Sequence, residues 1–323
     1  MMNTIAVITS GGDSPGMNAC IRAITRTAAY YNIQTLAFLR GYEGIINNDV
    51  QVLTRESVSN IIHKGGTILK TARSKRFMTE EGVRLAAENL KKNKVDGLVI
   101  IGGDGSFKGA LELAKHCDVQ IMGCPGTIDN DLLGTDFTIG YDTAINTVVE
   151  VIDKIRDTAE SHDRIFVVEV MGRDAGLIAL RSAIASGAEA LLVPEMKHDV
   201  ESLLVKIRGW RQSKASKIVV VAEGDESGGA FKVAELIKNN WPDFDLRVSI
   251  LGHMQRGGNP SCMERVNASI MGYHSVLALM EGKTLQMTGI INKKIHFTPF
   301  EHALKHHKAL DKDLEKLIEI LSS

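Results

Sequence analysis

Short apolar runs ending in glycine or acidic loops alternate along this chain with longer amphipathic stretches. The runs IAVITS (5–10), QTLAFL (34–39), GLVII (97–101), VQIMG (119–123), RIFVVEV (164–170), ALLVP (190–194), KIVVVAE (217–223) and RVSILG (247–252) predict strands. Between them the spacing predicts helices near 17–31, 83–93, 106–116, 143–160, 175–187, 199–212 and 231–239, then a C-terminal pair near 262–281 and 300–321. Strands apolar on both faces and alternating with helices imply an α/β fold, its mostly parallel sheets covered on both sides. Ligands of such folds bind in loops beyond the carboxyl ends of the strands. Here those loops are SGGDSPG (10–16), GGDGS (102–106), GTIDND (126–131), MGRDAG (171–176), EGDE (223–226) and GHMQRGG (252–258). The turn FTIGYDT before a long helix sets a domain boundary near residue 140.

The 323 residues suit one large or two ordinary domains, and 44% hydrophobic with 24% charged residues supports sizeable cores. With 38 basic against 39 acidic residues, the net charge of -1 points to no nucleic-acid or membrane partner, so any anion site must be built locally. The cysteines Cys20, Cys117, Cys124 and Cys262 lack metal-ligand spacing and read as reduced thiols. The N-terminal stretch MMNTIAVITSGGD does not read as a signal peptide, and no apolar stretch reaches the roughly 20 residues of a membrane helix. A soluble, cytoplasmic protein is expected.

The glycines of GGDGS let backbone N–H groups converge on an anion, and a helix following at once adds its positive end. Ser106 is expected to cap that helix. Asp104 would repel a phosphate unless a cation intervened; Mg²⁺, which takes one or two carboxylates with phosphate oxygens and waters, is that cation. Alone, GGDG reads equally as a tight turn. Walker A fails, since Leu277 stands where the first glycine before Gly282-Lys-Thr belongs, and GxGxxG fails because Gly109 follows Gly105 too late. In PGTIDND (125–131), Asp129 and Asp131 would point the same way if extended, one as base and the other facing or orienting metal. Those residues alone favour an Asx-rich surface turn; their place at a second strand end adds weight to the functional reading. Arg164, Arg173, Arg247, His253 and Arg256 fall at strand ends, and His253 and Arg256 share a face if their turn is helical. Together they suggest a second phosphate site.

The set SGGDSPGMNA, GGDGS, PGTIDND, VVEVMGR and LGHMQRGG resembles the ATP-dependent 6-phosphofructokinases of the short bacterial type, from about residue 3 to the last helices and more weakly after about 285. The resemblance implies two Rossmann-like three-layer α/β/α domains with the active site in the cleft between them. Residues 1–140 with about 252–303 would form the larger, ATP-binding domain. Residues 141–251 with about 304–323 would form the smaller, fructose 6-phosphate-binding one. It implies phosphorylation of the sugar's 1-hydroxyl by Mg-ATP in glycolysis, by a homotetramer under allosteric control. Asp129 would be the general base, assisted by Thr127 and Asp131, with Asp104 organising Mg²⁺. Gly12, Tyr42, Arg73, Gly103, Gly105, Ser106 and Gly109 would bind ATP, and Arg73 and Arg173 would neutralise the transferred phosphoryl group. Met171, Gly172 and Glu223 would hold the sugar, with His253 and Arg256 on its 6-phosphate, joined by Arg164 and Arg247 of a neighbouring subunit.

Gly105 and Gly126 imply space for a nucleotide, where pyrophosphate-using relatives tend to carry Asp and Lys. Arg22, Arg26, Arg55, Arg156, Glu189 and Lys214 match a site for ADP or phosphoenolpyruvate. Asn60, Gln212 and Lys70 depart from the usual pattern, while Asp142 and Asp174 gain no role. The alternatives are a pyrophosphate-dependent enzyme, a non-catalytic regulatory paralogue, and another GGDG-type kinase acting on NAD or lipid. The last two fit poorly, because Asp104, Asp129 and Arg173 are present and such kinases would lack PGTIDND and GHMQRGG.

Overall fold

The computed structural model describes residues 2–162, 164–196, 199–209, 217–304 and 310–321. In chain order it begins β1 (Thr4–Ser10), α1 (Met17–Tyr30), β2 (Gln34–Phe38), α2 (Gly41–Asn47), β3 (Val50–Leu53), α3 (Glu80–Lys92), β4 (Gly97–Gly102), α4 (Asp104–Ala114), β5 (Gln120–Thr127), β6 (Ile139–Gly140) and α5 (Tyr141–Glu160). There follow β7 (Ile165–Val170), α6 (Leu177–Ser186), β8 (Ala190–Leu192), α7 (Asp199–Gly209), β9 (Lys217–Ala222), α8 (Ala230–Asn240) and β10 (Leu246–Ile250). The last elements are α9 (Cys262–Met280), β11 (Gln286–Ile291), β12 (Lys294–Pro299) and α10 (Lys312–Leu321). The chain divides into two compact units, one of Met1–Thr143 with Arg256–His306 and one of Ala144–Gln255 with His307–Ser323.

In the first unit the strand order is β12-β11-β5-β4-β1-β2-β3, with β6 paired to the end of β5. All pairs are parallel except β2–β3 and β11–β12. Alternation along β1 sends Ile5 and Val7 into a core with α1 and α9, and Ala6 and Ile8 into a core with α2, α3 and α4. Three layers result because both faces of these strands are apolar. Each buried Ile, Val or Leu contributes about 1.5–3 kcal/mol, which holds helices on both faces.

The second unit is an all-parallel sheet in the order β10-β7-β9-β8. Ile165, Val167, Val219 and Val221 face α7 and α8, while the opposite face takes α6, against which α10 packs. Among the described residues no helix is long and apolar enough to cross a membrane.

The C-terminal expectation needs correcting. Among the described residues the predicted helix over 300–321 is realised only over Lys312–Leu321, where the Asp313 amide donates to Asp311 Oδ1 at 2.9 Å; residues 305–309 lie outside the described residues. Ahead of it, β11 and β12 form a hairpin whose two loop residues, Asn292 and Lys293, have φ of 50° and 65°. Two positive φ values make the tight turn that matches strand twist. Pro299 then closes β12 and Phe300 is fully buried, stacked on Phe107 at 4.8 Å.

Candidate active site

Three strand ends of the first unit meet in register. Ser10 of β1 stands opposite Gly102 of β4, and Gly102 opposite Pro125 of β5. A Cβ on Gly102 would lie 2.4 Å from Ser106 Oγ and 2.6 Å from the Ser10 carbonyl oxygen, so only glycine lets α4 start this close to the sheet. Ser106 does not cap α4, correcting the expectation. Gly103 is the N-cap, and the Ser106 hydroxyl donates to the Ser10 carbonyl at 3.1 Å. Gly103 and Gly105 keep ordinary negative φ and contribute open space: a Cβ on Gly105 would meet nothing within 4 Å, and one on Gly103 would stand 3.8 Å from Thr127 Cβ. The first turn of α4 borders this space, and the amides of Ser106 and Phe107 there donate to the Gly103 carbonyl at 2.9 and 3.2 Å. A helix N-terminus of this kind favours an anion. Asp104 opens the helix with its carboxylate 2.8 Å from Lys108 Nζ, so a cation already stands beside it.

The first glycine loop is built differently. Gly11 has φ 91°, and its carbonyl accepts from the Thr71 hydroxyl at 2.7 Å. The Thr9 hydroxyl donates to the carbonyl of Lys70, itself at φ 57°. This brings the 67–74 segment, with exposed Arg73, alongside the loop. A Cβ on Gly12 would lie 2.5 Å from Arg256 Nη1, and that nitrogen donates to the Asp13 carbonyl at 3.3 Å. Arg256 thus covers Gly12. Two other expected ligand contacts are core packing here. Tyr42 is buried, stacked on Phe77 at 3.9 Å with its hydroxyl donating to the Ser106 carbonyl, and a Cβ on Gly109 would meet its ring at 3.0 Å. Both hold α4 in place.

PGTIDND is not a surface turn. Asp129, Asn130 and Asp131 are 1%, 5% and 5% exposed. Nor is it extended: Asn130 adopts φ 54°, so the two aspartates do not follow strand alternation. The Asn130 side chain fixes the bend, donating to the Asp136 carbonyl at 3.0 Å and accepting from the Thr138 amide at 2.9 Å. Thr127 accepts from the Asp129 amide through its hydroxyl (3.2 Å) and from the Thr138 hydroxyl through its carbonyl (2.6 Å). Asn130 was not singled out from the sequence, although asparagine between two aspartates is a signal for a left-handed position. A Cβ on Gly126 would lie 2.9 Å from Met17 Cε, so this glycine serves packing as well as any ligand.

In the second unit the carboxyl ends of β7 and β9 are locked together. Glu223 Oε1 accepts from the amides of Arg173 (2.8 Å) and Gly172 (3.3 Å), and the Met171 amide donates to Gln255 Oε1 (3.1 Å). Arg173 is held at φ 54°, and a Cβ on Gly224 would stand 1.7 Å from its carbonyl oxygen. Exposed His253 follows on a 3₁₀ turn, Gly252–Arg256, so the helical spacing anticipated for 253 and 256 is present. Arg164 and Arg247 are not here. They lie at the amino ends of β7 and β10 and share Asp245, at 2.7 and 2.5 Å. The hydrogen bond from Arg164, then the charges of Arg247, Arg164 and Lys238, hold the Asp245 carboxyl below the usual carboxylate range.

The expected effector residues fall in separate groups. In the first unit Arg26 Nη2 reaches the Arg55 carbonyl at 3.5 Å, while burial and then the nearby Arg26 charge pull the Arg22 guanidinium below its ordinary value. In the second, Arg156 donates to the carbonyls of Ser186 (2.8 Å) and Gly187 (3.1 Å) and lies 3.6 Å from buried Glu189. Asn60 occupies a left-handed position (φ 55°) that asparagine tolerates better than most residues. Lys214 and Gln212 lie outside the described residues.

Strand ends carrying glycine-opened helix starts on one α/β unit and arginine-bearing loops on another define a phosphate-handling α/β protein. The comparisons narrow this. The family model for phosphofructokinase matches residues 4–279, and the chain belongs to that family. It is 52% identical over 319 residues to ATP-dependent 6-phosphofructokinase 2 of Bacteroides thetaiotaomicron, covering 98% of each chain. It is 50% identical over 322 residues to an ATP-dependent 6-phosphofructokinase of Cytophaga hutchinsonii, covering 99% of this chain and 98% of that protein. Among solved structures, phosphofructokinase of Saccharomyces cerevisiae superposes with a TM-score of 0.86 at 35% identity over 99% of this chain, which spans only 47% of the yeast chain. A pyrophosphate-dependent phosphofructokinase of Nitrosospira multiformis matches with a TM-score of 0.86 at 20% identity, covering 100% of this chain and 92% of that one; it shares the fold.

The lock on the second unit is directly testable. Gly224→Ala should displace the 171–176 loop and cost about 1–3 kcal/mol, as overpacking of a tight contact does. Chemical denaturation measures it, and an unchanged midpoint would contradict the close approach.

Proposed function

We propose that this protein is an ATP-dependent 6-phosphofructokinase, transferring the γ-phosphoryl group of Mg-ATP to the 1-hydroxyl of fructose 6-phosphate to give fructose 1,6-bisphosphate and ADP. The observation that carries this reading is the buried Asp129 loop beside the open start of α4, in a chain half identical to proteins named for that activity.

The unit of Met1–Thr143 and Arg256–His306 would take the nucleotide, its phosphates received by the backbone at Gly11, Gly103, Asp104 and Gly105. Mg²⁺ bound with the nucleotide supplies charge neutralisation at the transferring group. Asp104 would hold it, exchanging the Lys108 ammonium for the metal, in keeping with the one or two carboxylates Mg²⁺ takes. Thr127 and Asp131 would support Asp129, which takes the proton from the 1-hydroxyl as that oxygen attacks phosphorus. Arg73 and Arg173, both exposed, would meet the negative charge of the transferring group.

The sugar phosphate would be taken by Met171, Gly172 and Glu223 of the other unit, with His253 and Arg256 on the 6-phosphate. Strands of this length run about 20 Å, so Arg164 and Arg247 cannot join that group from their own chain. They would complete the sugar phosphate site of a neighbouring copy, which makes the active form an oligomer, proposed to be the homotetramer. Arg22, Arg26, Arg55, Arg156 and Glu189, with Lys214, would form a regulatory site for ADP or phosphoenolpyruvate.

Asp129→Ser should lower kcat by about 10²–10⁴-fold, the contribution of a well-placed base, with KM for fructose 6-phosphate changed far less. Steady-state kinetics decides this, and near-normal kcat would remove Asp129 from the role.

Donor choice rests on Gly105. Gly105→Asp puts a carboxylate into the space proposed for phosphate, and like-charge juxtaposition costs several kcal/mol, so kcat/KM for ATP should fall by about 10²-fold or more. Assays with ATP and with pyrophosphate test both this and the pyrophosphate-dependent alternative; wild-type turnover only with pyrophosphate would overturn the ATP assignment.

Mixing Arg247→Ala with Asp129→Ser subunits should restore activity in mixed oligomers, since each variant leaves the other's site component intact. Verified mixed oligomers without rescue would contradict a shared site.

A further inference from the structure

Helix α9 opens with Ser261-Cys-Met-Glu264, the S-x-x-E pattern whose glutamate ordinarily turns back to the amide of its own N-cap residue. Half of that device is present: the Ser261 hydroxyl accepts from the Glu264 amide at 3.1 Å. The other half is diverted. The Ser261 amide donates to the Thr143 hydroxyl at 3.2 Å, and the Glu264 carboxylate crosses to the first turn of a different helix. Its Oε2 accepts from the Thr143 amide and the Thr143 hydroxyl, each at 3.3 Å, and the carboxylate also takes a hydrogen bond from the Gly140 amide. Glu264, 2% exposed, therefore caps the N-terminus of α5, the end of a helix that favours a negative charge.

The turn held in this way touches both loops of the first unit. Ile139 and Gly140 pair with Gly126 and Thr127, and the Thr138 hydroxyl donates to the Thr127 carbonyl at 2.6 Å. The Ser14 hydroxyl of the first glycine loop donates to the Ile139 carbonyl at 2.8 Å. At the end of that loop, Gly16 has φ 103° and a Cβ there would lie 2.8 Å from Glu264 Cγ. One buried carboxylate thus joins α9, the 139–143 turn, the Asp129 loop and the first glycine loop.

We propose that Glu264 is a positioning residue for phosphoryl transfer: ionised, it holds the 139–143 turn and through it the Asp129 loop, and protonation releases that hold. The inference rests on the function proposed above and deepens it. Burial pushes the Glu264 carboxyl up to about 7, the Gly140 and Thr143 hydrogen bonds oppose the rise, and the Asp142 charge adds to it. The charged group acting on it is Asp142 of α5, which accepts from the Ser261 hydroxyl. The α1 loop presents uncharged Gly16, and Arg265 on α9 is turned to the Pro260 carbonyl at 2.8 Å. The amides of Gly140 and Thr143 can only donate, so a protonated carboxyl, having turned one acceptor into a donor, holds them less well.

Two opposite pH trends follow. Activity should fall as pH drops through about 7 and the carboxylate is lost. Stability should change the other way. Because the folded-state pKa is raised, the folded protein keeps a proton that the unfolded chain has released, so this contribution to stability declines as pH rises from 4.5 to about 7.

The test compares the full-length wild type with Glu264→Gln, measuring kcat at saturating substrates and unfolding midpoints between pH 4.5 and 8. Wild-type kcat should fall through an acid limb centred near pH 7 to a lower plateau. The variant should lose that limb, run near the low-pH level of the wild type, keep KM for both substrates within about twofold, and lose the pH slope in its midpoint. A limb and slope unchanged in the variant would overturn the proposal. If the variant does not fold, carbon-13 NMR of glutamate carboxyls in the wild type decides: one buried carboxyl titrating between pH 6 and 8 supports the proposal, and none overturns it. A wild type without phosphofructokinase activity would instead sink the function proposed above, while the carboxyl titration and the midpoint slope still report on Glu264 itself.

Discussion

The empty position at Gly102 is the constraint from which the strand-end edge of the first unit follows. A parallel sheet delivers Ser10, Gly102 and Pro125 to the same edge, and a helix must leave that edge at once. With any side chain at 102, the Ser106 hydroxyl could not reach the Ser10 carbonyl and α4 would start further out. Because it starts so low, its first turn begins beside the space left by Gly105 and Gly103 and bordered by Thr127. Tyr42, Phe77 and Gly109 secure the helix from its far side by packing and one buried hydrogen bond. Anion recognition by such a cradle needs no net positive charge, in keeping with a chain whose charges nearly cancel.

The second unit fixes its strand-end loops with a side chain. Its loops after β7 and β9 are fixed by Glu223 accepting from two successive amides and by the close approach of Gly224 to the Arg173 carbonyl. This rigidity leaves His253 and Arg173 exposed at the carboxyl edge. At the opposite edge Asp245 holds Arg164 and Arg247 side by side, so their guanidiniums are oriented before any ligand arrives. A single carboxylate between two arginines costs little and leaves a net positive pair, a suitable state for phosphate.

How far the sequence discloses this depends on which interactions are local. Strands such as Gly97–Gly102 and Ile165–Val170 are apolar on both faces, so their existence and their carboxyl-end loops follow from pattern alone. Helix α2 and the β11–β12 hairpin do not. GYEGIIN is a seven-residue helix opening on glycine, and the hairpin turns on Asn-Lys in place of the usual Asn-Gly. The reading of Asp129 and Asp131 as parallel neighbours fails on one residue, Asn130, whose left-handed backbone is stabilised by Asp136 and Thr138 further along the chain. Ser106 fails as a cap for a similar reason: a carbonyl 96 residues away competes for its hydroxyl.

Glu264 carries the same lesson furthest. By spacing, Ser261 and Glu264 form a self-contained helix start, and nothing in those four residues distinguishes a glutamate that caps its own helix from one that caps another. The outcome is decided by what competes for each partner. The Thr143 hydroxyl takes the Ser261 amide, which frees the carboxylate, and the open N-terminus of α5 offers it two amides and a hydroxyl in exchange. Burial then raises the carboxyl toward neutrality, so a residue chosen by tertiary competition becomes titratable in a range where an exposed glutamate is fully ionised. A buried acid at such a junction makes the geometry of the Asp129 loop depend on proton concentration.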